Sequence, residues 1–147
     1  MSSPASIRKH PIHPMLVPLP IGLWIFSLVS DVVYSQSGDI VWDRMAFYTM
    51  AGGVVGGLIA ALPGFIDFLS LSDPRVKRVA LTHMLLNLTV VALYVVNLWL
   101  RTTSASGAAA PLALSIVAVL MLAVSGWLGG ELVFRHGVAV DRESTIG

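Results

Sequence analysis

The sequence predicts an all-α integral membrane protein, a four-helix bundle whose helices run up-down-up-down. Three observations predict this fold. Hydrophobic residues make up 56% of the 147-residue chain and charged residues only 12%, against about 25% charged residues in soluble domains. The apolar residues fall into four windows of about 20 residues, the length that crosses a bilayer, and short segments join them. We therefore predict one domain, residues 1–147, with spans at about residues 14–34, 46–71, 79–100 and 111–134.

The first span follows a proline-rich segment, His10-Pro11-Ile12-His13-Pro14. Proline disfavours α geometry in the residue before it, so this segment is predicted to be an extended strap, with His13 near the start of the helix. In the second span, Pro63 is predicted to kink the helix because it lacks the backbone N–H that an α-helix needs there.

The second span also contains two pairs of glycines that lie four residues apart. Small residues at that spacing share one face of a helix and let another backbone, or a flat ligand, approach closely. We interpret these residues as helix-packing positions: Gly52, Gly53, Gly56 and Gly57.

Polar residues share one face in the first and third spans. At 100° per residue, one face of the first span carries His13, Pro20, Trp24, Ser27 and Asp31, and one face of the third carries His83, Asn87, Val90, Tyr94, Asn97 and Arg101. Polar side chains in hydrocarbon must find partners inside the protein, so both faces are predicted to point into the bundle.

The Lys and Arg residues predict the orientation. Seven lie on the side of the termini and of the loop between the second and third spans, and two, Arg44 and Arg101, lie on the other side. The positive-inside rule then places both termini in the cytoplasm. The basic residues are scattered without neighbouring aromatic residues, which excludes nucleic acid as a predicted partner.

The chain contains no cysteine. This excludes disulfides, a thiolate nucleophile and iron–sulfur clusters held by cysteine. No serine lies in a strand-turn-helix elbow, so the sequence does not favour an enzyme that uses nucleophilic catalysis. The expected partners are the lipid bilayer, a redox protein and a second copy of the chain.

All four histidines are predicted to lie at the cytoplasmic end of the bundle. His10 and His13 precede the first span, His83 lies about one turn inside the third, and His136 follows the fourth. The acids Asp67 and Glu131 lie about one turn inside the same end of the second and fourth spans. At the opposite end, we interpret the charged residues as ordinary interfacial groups: Asp31, Asp39, Asp43 and Arg44.

A weak internal repeat supports this grouping. His13-Pro14-Met15-Leu16 resembles His83-Met84-Leu85, and Gly64-Phe65-Ile66-Asp67 resembles Gly129-Gly130-Glu131. Each half would be one helical hairpin, and the two would be related by an axis along the membrane normal. His13 and His83 would then lie on diagonal helices and could ligate a haem iron from both faces.

We predict that His13 and His83 are the principal ligands of a b-type haem, with His10 and His136 as weaker candidates. Asp67, Glu131 and Asn87 are predicted to orient these ligands through hydrogen bonds. Two alternatives remain open. The same histidines, with Asp67 or Glu131, could bind iron, copper or zinc without a porphyrin, or the polar residues could serve only to stabilise the bundle.

Three parts of the sequence carry a family resemblance: the opening His10-Pro11-Ile12-His13-Pro14-Met15-Leu16-Val17-Pro18-Leu19-Pro20-Ile21-Gly22, the later Gly64-x-x-Asp67 and His83, and Gly129-Gly130-Glu131-Leu132-Val133. Together they resemble the bacterial membrane family called domain of unknown function 2231. The resemblance covers essentially the whole chain. It implies a small four-helix protein of the bacterial inner membrane. Similar domains are joined to Rieske or cytochrome c type modules, so the resemblance also implies a role in electron transfer.

Overall fold

The computed structural model describes residues 3–103 and 109–140, so residues 1–2, 104–108 and 141–147 of the predicted domain lie outside the described residues. As predicted, the fold is all-α. In the described residues, one small β-hairpin accompanies the helices. Its elements are β1 (Ser6–Ile7), β2 (His10–Pro11), α1 (Ile12–Leu16), α2 (Pro18–Ser37), α3 (Ile40–Leu69), α4 (Pro74–Thr103) and α5 (Ala109–Phe134).

The prediction of four membrane-spanning helices is confirmed by length and composition. Among the described residues, four helical segments are long and apolar enough to cross a bilayer: Ile12–Ser37, Ile40–Leu69, Pro74–Thr103 and Ala110–Phe134. Most of their ends lie a few residues beyond the predicted spans, because a helix can continue through the polar interface after its apolar stretch ends.

The strap before the first span is a β-hairpin followed by a short helix. Strands β1 and β2 pair antiparallel, with Ile7 opposite His10, so His10 is extended as predicted. His13 is different: it lies in the first turn of α1, and its predicted extended geometry is wrong. The next residue, Pro14, is tolerated there because the first turn of a helix does not use its backbone N–H groups.

Helices α1 and α2 meet at Val17, which belongs to neither. Pro18 and Pro20 lack the N–H groups that would bond to the carbonyls of the preceding turn, so the helix is interrupted there. At the other end of α2, Gly38 takes a left-handed conformation (φ 67°) and its N–H caps the helix on the Tyr34 carbonyl.

The four long helices form a ring in which each packs against two neighbours. Contacts are most extensive between α2 and α3 and between α4 and α5, and the ring closes through α3 with α4 and α2 with α5. We call α1, α2 and α3 the first hairpin and α4 and α5 the second hairpin. The predicted inward faces are buried at the core positions of both diagonal helices: Pro20, Trp24, Ser27, Asp31, Val90, Tyr94 and Asn97.

The two hairpins are structural repeats. Three contacts join α1 or α2 to α4 across the bundle, and in each the two residues are 70 positions apart: His13 with His83, Trp24 with Tyr94, and Asp31 with Arg101. We call these the axis pairs. Contacts between equivalent positions are expected only at a two-fold axis, so the axis pairs confirm the repeat that the sequence predicts.

Contacts inside the hairpins repeat as well. In the first hairpin, the Ser27 hydroxyl donates to the Ala46 carbonyl (2.9 Å). In the second, the Asn97 amide donates to the Pro111 carbonyl (2.8 Å). The two donors, Ser27 and Asn97, are again 70 positions apart. The two acceptors, Ala46 and Pro111, are 65 positions apart, so equivalent residues of α3 and α5 are separated by 65 positions in the sequence.

Candidate functional site

His13 and His83 meet at one end of the bundle, which we call the histidine end. Their ring centroids are 6.4 Å apart and the ring planes are nearly perpendicular, at 86°. The two rings come from diagonal helices, α1 and α4, as the repeat predicts. A pair of imidazoles on the axis of the bundle is therefore the centre of the candidate site.

A backbone carbonyl of its own hairpin holds each ring. His13 Nδ1 donates to the Ala60 carbonyl of α3 at 2.7 Å. His83 Nδ1 donates to the Ser125 carbonyl of α5 at 2.9 Å, and the Ser125 hydroxyl lies 3.0 Å from the same nitrogen. Ala60 and Ser125 are 65 positions apart, so the anchoring of the two histidines repeats with the helices.

Glycine makes these carbonyls accessible. In an α-helix the carbonyl of residue i points towards residue i+4, and the residues four positions after Ala60 and Ser125 are Gly64 and Gly129. A Cβ at Gly64 would lie 2.8 Å from His13 Nδ1, and one at Gly129 would lie 3.2 Å from His83 Cε1. The imidazoles thus approach the helix backbone where no side chain intervenes.

The carbonyl bonds determine which ring nitrogen can ligate a metal. When Nδ1 donates its proton, Nε2 of a neutral imidazole has a free lone pair. The Asn87 side-chain amide lies 3.1 Å from Nε2 of His83 and also donates to the His83 carbonyl at 2.9 Å. Asn87 is thus in contact with the ligand it was predicted to support, and its amide must turn away before His83 Nε2 can bind a metal.

The two acids near the histidine end have other partners. Asp67 accepts hydrogen bonds from the Ser3 hydroxyl (2.6 Å) and from the Ala5 N–H (3.2 Å), and so fastens the N-terminal segment to α3. Glu131 contacts Arg135, the residue that follows the end of α5, at 3.3 Å. In the described part of the chain, carbonyls and not these carboxylates bind the Nδ1 atoms of His13 and His83.

The remaining two histidines lie apart from the pair. His10 is exposed in β2, and its Nδ1 lies 2.9 Å from the Arg8 carbonyl. His136 follows the end of α5, where its backbone N–H donates to the Glu131 carbonyl. Within residues 3–103 and 109–140, no group of three or more His, Asp and Glu side chains is placed to hold a metal ion. The candidate site is accordingly a two-histidine site.

The two pairs of glycines in the middle of α3 pack against α2 side chains. A Cβ at Gly53 would meet the Trp24 indole ring, and one at Gly57 would lie 3.0 Å from the same ring. Gly52 faces Leu23, while Gly56 faces Leu19 and Pro20. Because α2 side chains occupy this face, the structure supports helix packing for these glycines over a cleft for a flat ligand.

The middle axis pair is an aromatic stack. Trp24 and Tyr94 lie 4.7 Å apart with ring planes at 11°, and both belong to the apolar core. Trp24 Nε1 and the Tyr94 hydroxyl are buried and have no hydrogen-bond partner among the described residues. This layer of aromatic and aliphatic side chains separates the histidine end from the polar groups at the opposite end.

The third axis pair is a buried ion pair, and the interpretation of Asp31 as an interfacial charge is wrong. The side chains of Asp31 and Arg101 are only 5% and 9% exposed, and one Arg101 nitrogen contacts both carboxylate oxygens at 2.6 and 2.7 Å. The Ser115 hydroxyl also donates to Asp31, at 3.1 Å. We call this end of the bundle the ion-pair end.

The rest of this network surrounds Arg101. Its Nε donates to the Asn97 amide oxygen at 3.0 Å, and its Nη1 lies 3.6 Å from Asp43. Sequence reasoning missed the pair because an acid and a base do not resemble each other in a repeat. The spacing of 70 residues between His13 and His83, applied to Asp31, would have found it.

Comparison with known proteins identifies one family. The family model described as predicted membrane protein (DUF2231) matches residues 9–142. Neither the curated proteins nor the solved structures gave a match.

Proposed function

The chain belongs to the DUF2231 family of membrane proteins, and we propose that it holds a metal centre between His13 and His83. The first candidate for that centre is a b-type haem, and a bare iron, copper or zinc ion is the second. With haem, iron or copper, the protein would be a small electron-transfer component of the membrane. The observation that carries the proposal is the approach of two anchored imidazoles on the axis of the bundle.

The distance between the rings supports this proposal. Two imidazoles could reach one metal ion only if their rings lie within several ångströms of each other, because a metal–nitrogen bond is about 2 Å long. The observed separation is 6.4 Å. The Nδ1 bonds to Ala60 and Ser125 support it too, because a metal-bound histidine commonly donates its other ring N–H to a carbonyl or carboxylate.

The chain's own residues would position and tune such a centre. The Ala60 and Ser125 carbonyls hold both rings with Nε2 as the ligating atom, and Asn87 covers the Nε2 of His83 when no metal is bound. Neutral imidazole is the form that binds metal. The metal would supply one-electron chemistry if it is iron or copper.

The two candidates make different demands on the bundle. A bare ion would need the two ring nitrogens, a rotation of Asn87 and further ligands, such as water, to complete its coordination. A porphyrin also needs a flat space, and the glycines predicted to provide it lie against Trp24 and other α2 side chains. Haem binding at these glycines would therefore require α2 side chains to move off α3 within the first hairpin, whereas binding of a bare ion would not.

Spectra and metal analysis of the purified protein test the proposal. A Soret band after expression with haem supply identifies the haem form, and stoichiometric metal in a colourless protein identifies the second. His13→Ala and His83→Ala should each abolish binding, while His10→Ala and His136→Ala should leave most of it. If folded protein binds neither haem nor iron, copper or zinc, the histidines are structural and the proposal fails.

We also propose that the histidine end faces the cytoplasm in the bacterial inner membrane. The seven-to-two distribution of Lys and Arg supports this orientation. Reporter fusions after Gly147 and near Lys77 should read cytoplasmic, and fusions near Ser37 and Ser104 should read periplasmic. A periplasmic reading after Gly147 would reverse the orientation, and any redox partner would then be sought on the periplasmic side.

A further inference from the structure

The two hairpins meet at three axis pairs, and one of these pairs distinguishes the hairpins by charge. The histidine pair is identical in the two hairpins, and the aromatic pair combines two stacked rings. The third pair combines an acid of the first hairpin, Asp31, with a base of the second, Arg101. The first two pairs therefore provide no electrostatic discrimination between the hairpins.

This similarity creates an alternative assembly. In a membrane that contains many copies of the chain, the first hairpin of one copy could pack about the same axis against the first hairpin of another. The histidine and aromatic contacts would be preserved in kind. Asp31 would instead face a second Asp31, and in the complementary pairing Arg101 would face a second Arg101. Like charges that meet out of water repel strongly, because the low dielectric hardly weakens the interaction.

The remaining contacts of the network reinforce the discrimination. Asp31 accepts from Ser115 of the second hairpin, and Arg101 lies near Asp43 of the first. The repeat does not conserve either contact, since the residue equivalent to Ser115 is Met50. At the ion-pair end, the first hairpin is therefore acidic where the second is basic.

We propose that the Asp31–Arg101 pair makes each first hairpin pack on a second hairpin and prevents two first hairpins, or two second hairpins, of different copies from packing on each other. The partner that it rejects is the like hairpin of a second copy of this chain. This role is independent of whether His13 and His83 bind a metal.

Disulfide cross-linking tests the proposal, because the chain contains no cysteine that could interfere. Ser27 is fully buried on the face of α2 between Trp24 and Asp31, so a Ser27→Cys side chain can meet its equivalent in another copy only if two first hairpins pair. In otherwise unchanged protein, oxidation in the membrane should give little cross-linked dimer. In the background Asp31→Asn/Arg101→Gln, the cross-linked fraction should rise at least fivefold.

Two control backgrounds separate charge selection from general loosening. Arg44→Gln removes an exposed charge at the same end of the bundle, and Gly53→Ala disturbs the core beside Trp24 but keeps the ion pair. Neither should raise the cross-linked fraction. Equal cross-linking in all backgrounds, or none in the neutral-pair background, would overturn the proposal.

Charge reversal provides a second measurement for variants that misfold on their own. Asp31→Arg places two bases on the axis and Arg101→Asp places two acids there, so each chain alone should give little folded protein. Co-expressed with different tags, the two chains should fold by exchanging hairpins and should co-purify. Asp31→Arg/Arg101→Asp in one chain should restore the monomeric pairing. If co-expression recovers no more protein than separate expression, charge does not select the hairpins.

Discussion

The histidine end and the ion-pair end of the bundle are built on equivalent positions but are held together in different ways. At the histidine end, each ring bonds to the backbone of its own hairpin, and the two histidine side chains meet across the axis through ring contact without a hydrogen bond between them. At the ion-pair end, Asp31 and Arg101 bond directly to each other across the axis. One end positions two groups without joining them, and the other fastens the hairpins together.

This difference suits different tasks. Rings that are anchored separately through Nδ1 can offer their Nε2 atoms to an additional partner once Asn87 turns away from His83, and moving the rings apart breaks no hydrogen bond between them. A buried ion pair across the interface resists opening, since separation would leave charges in hydrocarbon. Ligand entry is therefore expected at the histidine end, while the ion-pair end keeps the hairpins in register.

The largest expected effect comes from removing the cross-axis bond. Arg101→Gln leaves Asp31 buried without its cation, which should lower the free energy of unfolding by about 3–5 kcal/mol. His83→Gln breaks hydrogen bonds within one hairpin and should cost about 1–3 kcal/mol. Denaturation in mixed micelles, followed by circular dichroism, measures both values.

The matched control for this comparison is Arg44→Gln, which removes an exposed arginine of α3 and should change the stability by no more than about 0.5 kcal/mol. If His83→Gln costs as much as Arg101→Gln, the two ends contribute equally to the union of the hairpins and the contrast between them is wrong.

The next effect concerns the middle layer, where the hairpins differ in size. Trp24 packs on Gly53, and the residue equivalent to Gly53 in the second hairpin is Ala118, while the equivalent of Trp24 is the smaller Tyr94. Gly53→Ala should therefore cost about 1–3 kcal/mol through overpacking against the indole. Trp24→Tyr in the same chain should recover part of that loss, because the pair then matches the second hairpin.

Gly126→Ala is the control for the glycine change, since a Cβ there meets no atom within 4 Å. Its stability should lie within about 0.5 kcal/mol of the unchanged protein. Equal losses for Gly53→Ala and Gly126→Ala would show that helix flexibility, and not contact with Trp24, explains the need for glycine.

The sequence predicted the inward faces well, because in hydrocarbon the polar residues of a span must share the interior. It also placed His13 and His83 together, since the motifs around them resemble each other. The carbonyl anchors could not be predicted, as any residue has a carbonyl. Their only trace in the sequence is the glycine four residues later, at Gly64 and Gly129.

Other features escaped for different physical reasons. The proline-rich segment contains the strand β2 and the short helix α1, because the tolerance of proline depends on whether its N–H is needed, which the sequence alone does not reveal. Asp67 was assigned to the histidines from its depth in the span, but the folded-back N-terminal segment offers Ser3 and Ala5 as nearer partners. Contacts with such a segment depend on its path and not on helix periodicity.

A smaller effect is expected from the glycines beside the two rings. Gly64→Ala puts a methyl group 2.8 Å from His13 Nδ1, whereas Gly129→Ala puts one 3.2 Å from His83 Cε1. The first should break a hydrogen bond, at about 1 kcal/mol, and the second should require only a small shift of the ring. Nitrogen NMR of labelled histidine should report a changed Nδ1 environment for His13 and little change for His83. A larger change at His83 would contradict the distances.

The smallest effect separates the two acids of the histidine end. Asp67→Asn weakens the bonds to the N-terminal segment and should ease its local opening by about 1 kcal/mol, or about fivefold. Trypsin should then cut the chain at Arg8 and Lys9, in the turn between β1 and β2, about fivefold faster in purified protein. Glu131→Gln should leave the cutting rate unchanged, because its partner Arg135 is 75% exposed and such pairs contribute little. Equal acceleration by both changes would mean that Asp67 does not specifically fasten the N-terminal segment to α3.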